Sequence, residues 1–420
     1  MDPAAPLPAS DALPHILLAL VVVIVVARLV GAVFRRFGQP PVIGEILAGI
    51  LLGPSLLGRV APSVYQALLP PSVASSLAVI SQIGIILYMF LVGMELDTTL
   101  LRRRTTTSLA VAGASIAVPF VLGVAMAFRL HPRFSSPDVP FTAFALFMGV
   151  SLSVTAFPVL ARILTDRGMQ NSPTGALALA CAAVGDVGAW CLLALLVGYV
   201  QARPGAALVT VALAAVYVVA MLAVVRPLAR RLVRAHESRA ALTDGMLAIV
   251  CVALLISALA TERIGIHALF GAFLLGALVR HDSGLARALH EKLHGLVVVL
   301  MLPPFFAFTG LRTDVRLLSG GEEWLICAGI VAVASAGKLG GSAVAARLTG
   351  EPWREAAALG VLMNTRGLME LIVLNVGLDL GLLSPTLFAM LVLMALLTTL
   401  ATTPLLDFVQ RGVRVPAAGQ

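Results

Sequence analysis

Long apolar runs separated by short polar breaks fill this chain. They can be placed at residues 15–36, 41–58, 74–96, 106–128, 141–165, 173–201, 205–228, 241–261, 265–280, 291–310, 323–347, 354–378 and 384–409. An α-helix rises about 1.5 Å per residue, so about 20 apolar residues cross a hydrocarbon core of about 30 Å. The pattern predicts an all-α polytopic membrane protein of about thirteen transmembrane helices in one integral domain, residues 15–410, with tails at 1–14 and 411–420. Only about ten residues follow the last run, so no soluble regulatory domain is expected. The run at 173–201 is opened by Pro173, which suits a helix start, and holds a single acid, Asp186, near its middle. A charge at that depth costs at least about 3 kcal/mol, so an acid kept there is a functional-site candidate. The plainer alternative is a carboxyl held neutral by desolvation or paired with a base for assembly.

Two runs carry polar, helix-breaking residues at mid-depth. Span five reads Ser151-Leu152-Ser153-Val154-Thr155-Ala156-Phe157-Pro158, and span twelve reads Asn364-Thr365-Arg366-Gly367-Leu368-Met369-Glu370. Pro158 lacks an N–H and opposes a continuous helix, while nearby hydroxyls can satisfy freed backbone groups. The two runs are therefore expected to be discontinuous helices whose half-helix ends meet at the midplane, where dipoles and open carbonyls hold ions. A pair of merely kinked packing helices is the alternative. A faint repeat relates them. Ile43-Gly44-Glu45-Ile46-Leu47-Ala48-Gly49 in span two matches Phe270-Gly271-Ala272-Phe273-Leu274-Leu275-Gly276 in span nine, and Gly93-Met94-Glu95-Leu96-Asp97 in span three matches Gly310-Leu311-Arg312-Thr313-Asp314 in span ten. Each pair lies seven spans apart. Seven is odd, so the two halves have inverted topology, with span seven (205–228) as linker and span five corresponding to span twelve.

Composition agrees with a bilayer as solvent. The 420 residues are 60% hydrophobic and 12% charged, and the mean hydropathy is +1.01, which excludes an ordinary soluble fold. A net charge of +8 would suggest nucleic acid in a soluble chain. Here the bases lie in loops, where they set orientation instead, and no nucleic-acid partner is expected. Nineteen follow odd-numbered spans (Arg35, Arg36, Arg102, Arg103, Arg104, Arg162, Arg167, Arg226, Arg230, Arg231, Arg234, Arg239, Arg280, Arg287, Lys292, Arg347, Arg354, Arg411 and Arg414), against seven after even-numbered spans (Arg59, Arg129, Arg133, Arg203, Arg263, Arg312 and Arg316). That asymmetry predicts an N-terminus outside and a C-terminus in the cytoplasm. Short loops favour a bacterial inner membrane over a plant organelle. Arg28 is the first base, so no charged leader region precedes span one, which is expected to remain in the mature protein. Cys181, Cys191, Cys251 and Cys327 all sit in apolar runs and read as buried small residues without disulfide or metal spacing.

Glu45, Asp186, Lys338, Arg366 and Glu370 are the ionisable groups well inside spans. Lys338 is one of only two lysines and sits in Ala336-Gly337-Lys338-Leu339-Gly340-Gly341, where glycines let backbones approach. A lysine in low dielectric can trade its proton, which makes Lys338 a partner or competitor for Asp186. Arg366 and Glu370 stand four apart and read as a structural pair on one helix face. Glu45 lies within two turns of the cytoplasmic end of its span, where snorkelling or interface pairing competes with a transport role. His290-Glu291-Lys292-Leu293-His294 matches the H-E-x-x-H zinc protease pattern. It stands at a loop-to-helix junction among ordinary surface charges, and no third ligand is placed to join it. The reading is therefore no zinc site, no cofactor and no enzyme, with a remote intramembrane protease and a surface pH-sensing histidine pair as alternatives.

These stretches together resemble the monovalent cation:proton antiporter-2 family, which includes Kef-type, CHX and NapA-like exchangers. The matching residues are Gly38-Gln39-Pro40-Pro41-Val42-Ile43-Gly44-Glu45-Ile46-Leu47-Ala48-Gly49 with Leu52-Gly53-Pro54, Thr155-Ala156-Phe157-Pro158-Val159-Leu160-Ala161-Arg162-Ile163-Leu164, Gly337-Lys338, and Asn364-Thr365-Arg366-Gly367-Leu368-Met369-Glu370-Leu371. The resemblance implies a homodimer in which a scaffold (15–96 and 241–310) carries a mobile ion-binding core (106–201 and 323–409) that moves like an elevator. It also implies that Asp186 alternately binds Na+ or K+ and a proton, that Ser151, Ser153 and Thr155 line the site from one broken helix and Asn364 and Thr365 from the other, and that Lys338 is the family's core-helix lysine. Arg366 and Glu370 would compensate the helix ends. One departure stands out. The family usually has two adjacent polar or acidic residues where this chain has Gly185-Asp186, so Lys338 must pair with Asp186, find another acceptor or be neutral. With one carboxylate, exchange is expected to be one proton for one cation, without net charge. A non-transporting or impaired sensor on the same scaffold is the alternative that Gly185 motivates.

Overall fold

The computed structural model describes residues 9–95, 105–170, 172–201, 207–237, 242–279 and 282–410. The loop bases Arg102, Arg103, Arg104, Arg203, Arg239, Arg280, Arg411 and Arg414, the Leu96 and Asp97 of the repeat motif, and the tail residues 1–8 and 411–420 lie outside the described residues.

Apolar runs become helices because a backbone in hydrocarbon must satisfy its own N–H and C=O groups. In chain order these are α1 (Ala9–Arg36), α2 (Pro41–Leu52), α3 (Leu57–Val60), α4 (Pro62–Leu68), α5 (Pro71–Glu95), α6 (Thr105–Phe134), α7 (Phe141–Ser153), α8 (Phe157–Asp166), α9 (Pro173–Gln201), α10 (Ala207–Ala220), α11 (Arg226–Glu237), α12 (Asp244–Ile264), α13 (Ala268–Leu278), α14 (Gly284–Leu296), α15 (Leu302–Arg312), α16 (Gly321–Leu348), α17 (Trp353–Met363), α18 (Leu368–Asp379) and α19 (Pro385–Gln410). Among the described residues, eleven stretches are long and apolar enough to cross a membrane, and the pair α17–α18, bent by 45°, adds a twelfth. The ninth expected span is the exception. Gly265 ends α12 in the left-handed conformation (φ 90°), and α13 follows with only 11 residues. The expected tail also shortens, because α1 already begins at Ala9. Along α1, Leu17, Val21, Val25 and Leu29 are exposed, a face that water would penalise and lipid does not. This is a multi-pass membrane protein.

The chain packs as two compact units. The first comprises Met1–Val33, Gly44–Asp97 and Trp190–Leu317, and the second Phe34–Ile43, Thr98–Ala189 and Leu318–Gln420. The boundaries fall inside α1 (after Val33), α2 (after Ile43) and α9 (after Ala189), and after Asp97 and Leu317.

In the first unit, α5 packs against α13 and α15. The glycines of the sequence repeat lie at backbone-to-backbone crossings. A Cβ on Gly310 would sit 2.1 Å from the carbonyl carbon of Gly49, and one on Gly276 would sit 2.1 Å from the carbonyl oxygen of Phe90, beside Gly93. Exchanging span two for nine and span ten for three turns one crossing into the other, so the sequence repeat reappears in the packing. Glu45 pairs with Arg28 at 3.6 Å. Arg28 also donates to the Val298 carbonyl at 2.8 Å, in a wide turn (Val297–Met301) that precedes Pro303 and Pro304. Prolines free carbonyls in the preceding turn, and the guanidinium takes one of them. Glu45 is thus held by an ion pair within its span.

In the second unit, α6 packs on α7, α16 lies against α6 and α17, and α19 contacts α16, α17 and α18. Val111, Leu160, Leu164, Ala178, Cys181, Leu359, Leu362 and Leu406 form a fully buried cluster at its centre.

Candidate functional site

Both expected interruptions are present in the second unit. Span five is α7 and α8 separated by Val154-Thr155-Ala156, where Val154 turns extended (φ −63°, ψ 138°). Pro158 sits in the first turn of α8, a position where the missing N–H costs nothing. It restarts the helix. In span twelve, α17 tightens as it ends, with the Asn364 and Thr365 amides reaching Val361 and Leu362 carbonyls three residues back at 3.2 Å. The Asn364–Gly367 segment then separates it from α18. The two interruptions bond to each other. The Ala156 N–H donates to the Thr365 carbonyl at 3.0 Å, and the Thr155 hydroxyl donates to the Met363 carbonyl at 3.1 Å.

A helix end leaves its last carbonyls without intrahelical donors and carries partial negative charge. At the end of α7, two buried cations supply what is missing. Arg366 donates to the Ser151 carbonyl at 2.8 Å and to the Leu152 carbonyl at 2.6 Å. Lys338 donates to the Ser153 carbonyl, to Thr155 Oγ1 at 2.6 Å and to Ser115 Oγ at 3.1 Å. Three acceptors match the three N–H groups of an ammonium. Among the described residues no ion pair joins Lys338 to Asp186. Of the options open in the sequence, Lys338 takes the second: other acceptors.

Arg366 pairs with Glu370 at 2.8 Å, and the other Glu370 oxygen accepts from the Ser151 hydroxyl at 3.0 Å. The pair forms as expected, but not along one helix face. Arg366 belongs to the interruption and Glu370 to the first turn of α18, where a carboxylate also complements the helix dipole.

The expected site residues divide by what their polar atoms do. The Ser153 hydroxyl turns to the Gly149 and Ile116 carbonyls at 2.6 and 3.0 Å, and the Thr365 hydroxyl turns to Leu362 at 2.7 Å. Ser151 serves Glu370, and Thr155 ties the interruptions together. Asp186 and Asn364 differ. Both are buried, at 3% and 1% exposure, yet neither Asp186 oxygen nor Asn364 Oδ1 has a side-chain hydrogen-bond partner. The Phe157 amide, at the N-terminus of α8, and the Lys338 ammonium lie within electrostatic reach of Asp186. A Cβ on Gly185, although the residue is buried, would meet nothing within 4 Å. The carboxylate oxygens of Asp186 on α9 and the amide oxygen of Asn364 in the second interruption are thus left for a ligand. That set suits a hard monovalent cation or a proton.

Sequence reasoning missed Ser115 and Thr399. Thr399 Oγ1 accepts from the Arg366 N–H at 2.9 Å. Hydroxyls are common in membrane helices, and nothing in Gly113-Ala114-Ser115 or Thr398-Thr399 marks these two out.

Residues 21–408 match the transmembrane region of the sodium/hydrogen exchanger family. The chain belongs to that family. It is 44% identical over 398 residues to the Na+/H+ antiporter NhaS4 of Synechocystis, covering 94% of this chain and 97% of that protein. Cation/H+ antiporter 18 of Arabidopsis thaliana is 39% identical over 409 residues, covering 97% of this chain and 50% of the plant protein. K+/H+ antiporter 1 of Saccharomyces cerevisiae is 34% identical over 411 residues, covering 95% of this chain and 47% of the yeast protein. The chain thus spans about half the length of these plant and yeast relatives. The solved structure of the sodium proton antiporter MjNhaP1 from Methanocaldococcus jannaschii shares the fold, with a TM-score of 0.65 at 15% identity over 95% of this chain and 96% of that one. In this exchanger the H-E-x-x-H histidines stack on each other at 4.5 Å, with His290 3.7 Å from Glu95. Among the described residues no group of three or more metal-ligating side chains is assembled.

Proposed function

We propose that this chain exchanges a monovalent cation, Na+ or K+, for H+ across the membrane by alternating access. The observation that carries the reading is a buried carboxylate, Asp186, with no side-chain hydrogen bond on either oxygen and the Phe157 amide facing it. A bare anion is costly to move through a low-dielectric passage, so the carrier crosses only after a cation or a proton discharges it. That competition couples the two fluxes. Asn364 supplies a second oxygen ligand, and Thr155, Ser151, Ser153 and Thr365 hold the backbone around it. Lys338 and Arg366 neutralise the end of α7, which leaves Asp186 as the one carboxylate free to trade passengers.

Family membership and the relatives named as antiporters support this reading. With Gly185 in place of a second polar residue, the exchange is one-for-one and electroneutral. Residues 15–96 and 241–310 act as a dimer-forming scaffold, and residues 106–201 and 323–409 as the core that moves past it like an elevator. The N-terminus lies outside and the C-terminus in the cytoplasm of a bacterial inner membrane.

The test is a pH-dye assay in proteoliposomes across Na+, K+, Li+ and Rb+ at several pH values. The parent collapses an imposed pH gradient on cation addition, and Asp186→Asn does not. Persistent exchange in Asp186→Asn would refute the assignment. Transport currents that follow membrane voltage rather than the ion gradients would refute electroneutrality. A parent with no exchange that regains it as Gly185→Asp would favour an impaired scaffold instead.

A further inference from the structure

The last span carries four buried threonines, Thr398, Thr399, Thr402 and Thr403. A hydroxyl within a membrane helix ordinarily bonds a carbonyl one turn back on its own helix. Thr398 and Thr402 do so, to Met394 and Thr398 at 2.8 and 3.1 Å. Thr399 reaches across. Its oxygen accepts from the Arg366 N–H at 2.9 Å, and its hydroxyl lies 2.9 Å from both the Arg366 and Ala395 carbonyls. The Arg366 amide follows the last tightened turn of α17, whose bonds end at Thr365. Buried backbone amides are almost always paired. Thr399 is what pairs this one, from outside the interrupted helix.

The inverted repeat gives this contact a counterpart. Spans six and thirteen stand seven apart, as spans five and twelve do. In the first half, the span-six residue whose field meets the interruption's restart amide, Phe157, is Asp186. In the second half, the span-thirteen residue that holds the interruption's amide is Thr399. One half presents a charged group to its broken helix and the other a neutral hydroxyl.

We infer that Thr399 is a positioning residue for cation binding, the uncharged counterpart of Asp186, which fixes the Asn364–Gly367 segment so that Asn364 Oδ1 is presented as a ligand. The inference rests on the exchange reading above. It separates the two passengers. A proton needs only Asp186, whereas a cation needs Asp186 and Asn364 at once, so loosening the segment weakens cation binding and spares protonation.

The test compares Thr399→Val, which keeps shape and loses the hydroxyl, with Thr399→Ser, which keeps it. Thr402→Val is the control, an equally buried hydroxyl bonded only within its own helix. In proteoliposomes titrated with Na+ and K+, Thr399→Val raises the cation KM about tenfold, the loss of roughly one well-made hydrogen bond, with kcat within about twofold. At a fixed cation concentration well above the parent KM, the acid limb of its pH profile moves up by as much as about one unit, because the proton now outcompetes a weaker rival. Thr399→Ser and Thr402→Val behave as the parent. An unchanged KM in Thr399→Val, or an equal rise in Thr402→Val, overturns the inference. Amide hydrogen exchange over residues 364–367 reads the same contact without transport: faster exchange in Thr399→Val alone supports it, and unchanged exchange overturns it. A parent that exchanges no cation sinks the exchange reading, while the hydrogen-exchange comparison still judges Thr399. If Thr399→Val does not purify, Thr399→Ala against Thr399→Ser replaces it. Failure of both Val and Ala to fold would assign the hydroxyl to folding and overturn the positioning role.

Discussion

Arg366 makes three buried side-chain hydrogen bonds in the second unit, and removing it has a cost that can be built up bond by bond. Arg366→Met strands the Glu370 carboxylate, and breaking a buried pair from one side costs about 3–5 kcal/mol. It also leaves the Ser151 and Leu152 carbonyls without donors, at about 1–3 kcal/mol each. The total is about 5–11 kcal/mol, comparable with the whole folding stability of a typical domain, about 5–15 kcal/mol. The double variant Arg366→Met/Glu370→Met removes the stranded charge and keeps the carbonyl cost, about 2–6 kcal/mol, together with the Ser151 hydroxyl's loss of its Glu370 acceptor. Lys338→Met differs in kind. It relieves the burial of an unpaired ammonium and orphans one backbone carbonyl, that of Ser153, since the Ser115 and Thr155 hydroxyls lose only an acceptor role. Thermal midpoints in detergent, read by loss of the monodisperse size-exclusion peak, give the comparison. Arg366→Met melts lowest, the double variant recovers part of the loss, and Lys338→Met stays above Arg366→Met. A single variant as stable as the double, or indistinguishable from the parent, would refute the account of α7 capping.

Two further outcomes follow from the packing. Gly185→Ala folds and melts like the parent because its Cβ meets open space, whereas Gly310→Ala or Gly276→Ala, whose Cβ would lie 2.1 Å from backbone, lowers the detergent midpoint or abolishes folded protein; equal midpoints for all three would contradict the crossings. Chelator treatment and the His290→Ala/His294→Ala double variant leave cation-driven dye recovery within about twofold of the parent. Loss of exchange on chelation, restored by zinc, would reopen the metal reading.

Much of this site was legible beforehand because the bilayer makes polar residues conspicuous. Asp186, Lys338, Arg366 and Glu370 stood out as charges in apolar runs, and Pro158 with Asn364–Gly367 marked both interruptions. Their partners were not legible. Lys338 looked like a mate for Asp186 because like seeks opposite charge, yet a truncated helix end offers carbonyls that compete for the same ammonium, and no pattern of residue types announces that. Arg366 and Glu370 read as sharing a helix face because spacing by four implies a helix, yet Arg366 lies in the interruption and Glu370 in the helix after it. Thr399 was hidden among threonines that serve only their own helix. The ninth span ran short because Gly265 ends the preceding helix left-handed and Val279 turns extended after Leu278, backbone choices that an apolar run does not announce.

The glycine crossings of the first unit carry a consequence for how the molecule is made. Gly49 and Gly93 come from the early part of the chain, and Gly310 and Gly276, which they meet, from the late part. Each joint therefore takes one face from either end of the message. Span two can close at once on α1, where Gly44 meets Gly31, but Gly49 and Gly93 must wait for partners not yet synthesised. One joint must wait for about residue 276 and the other for about residue 310, so this unit is completed late in synthesis.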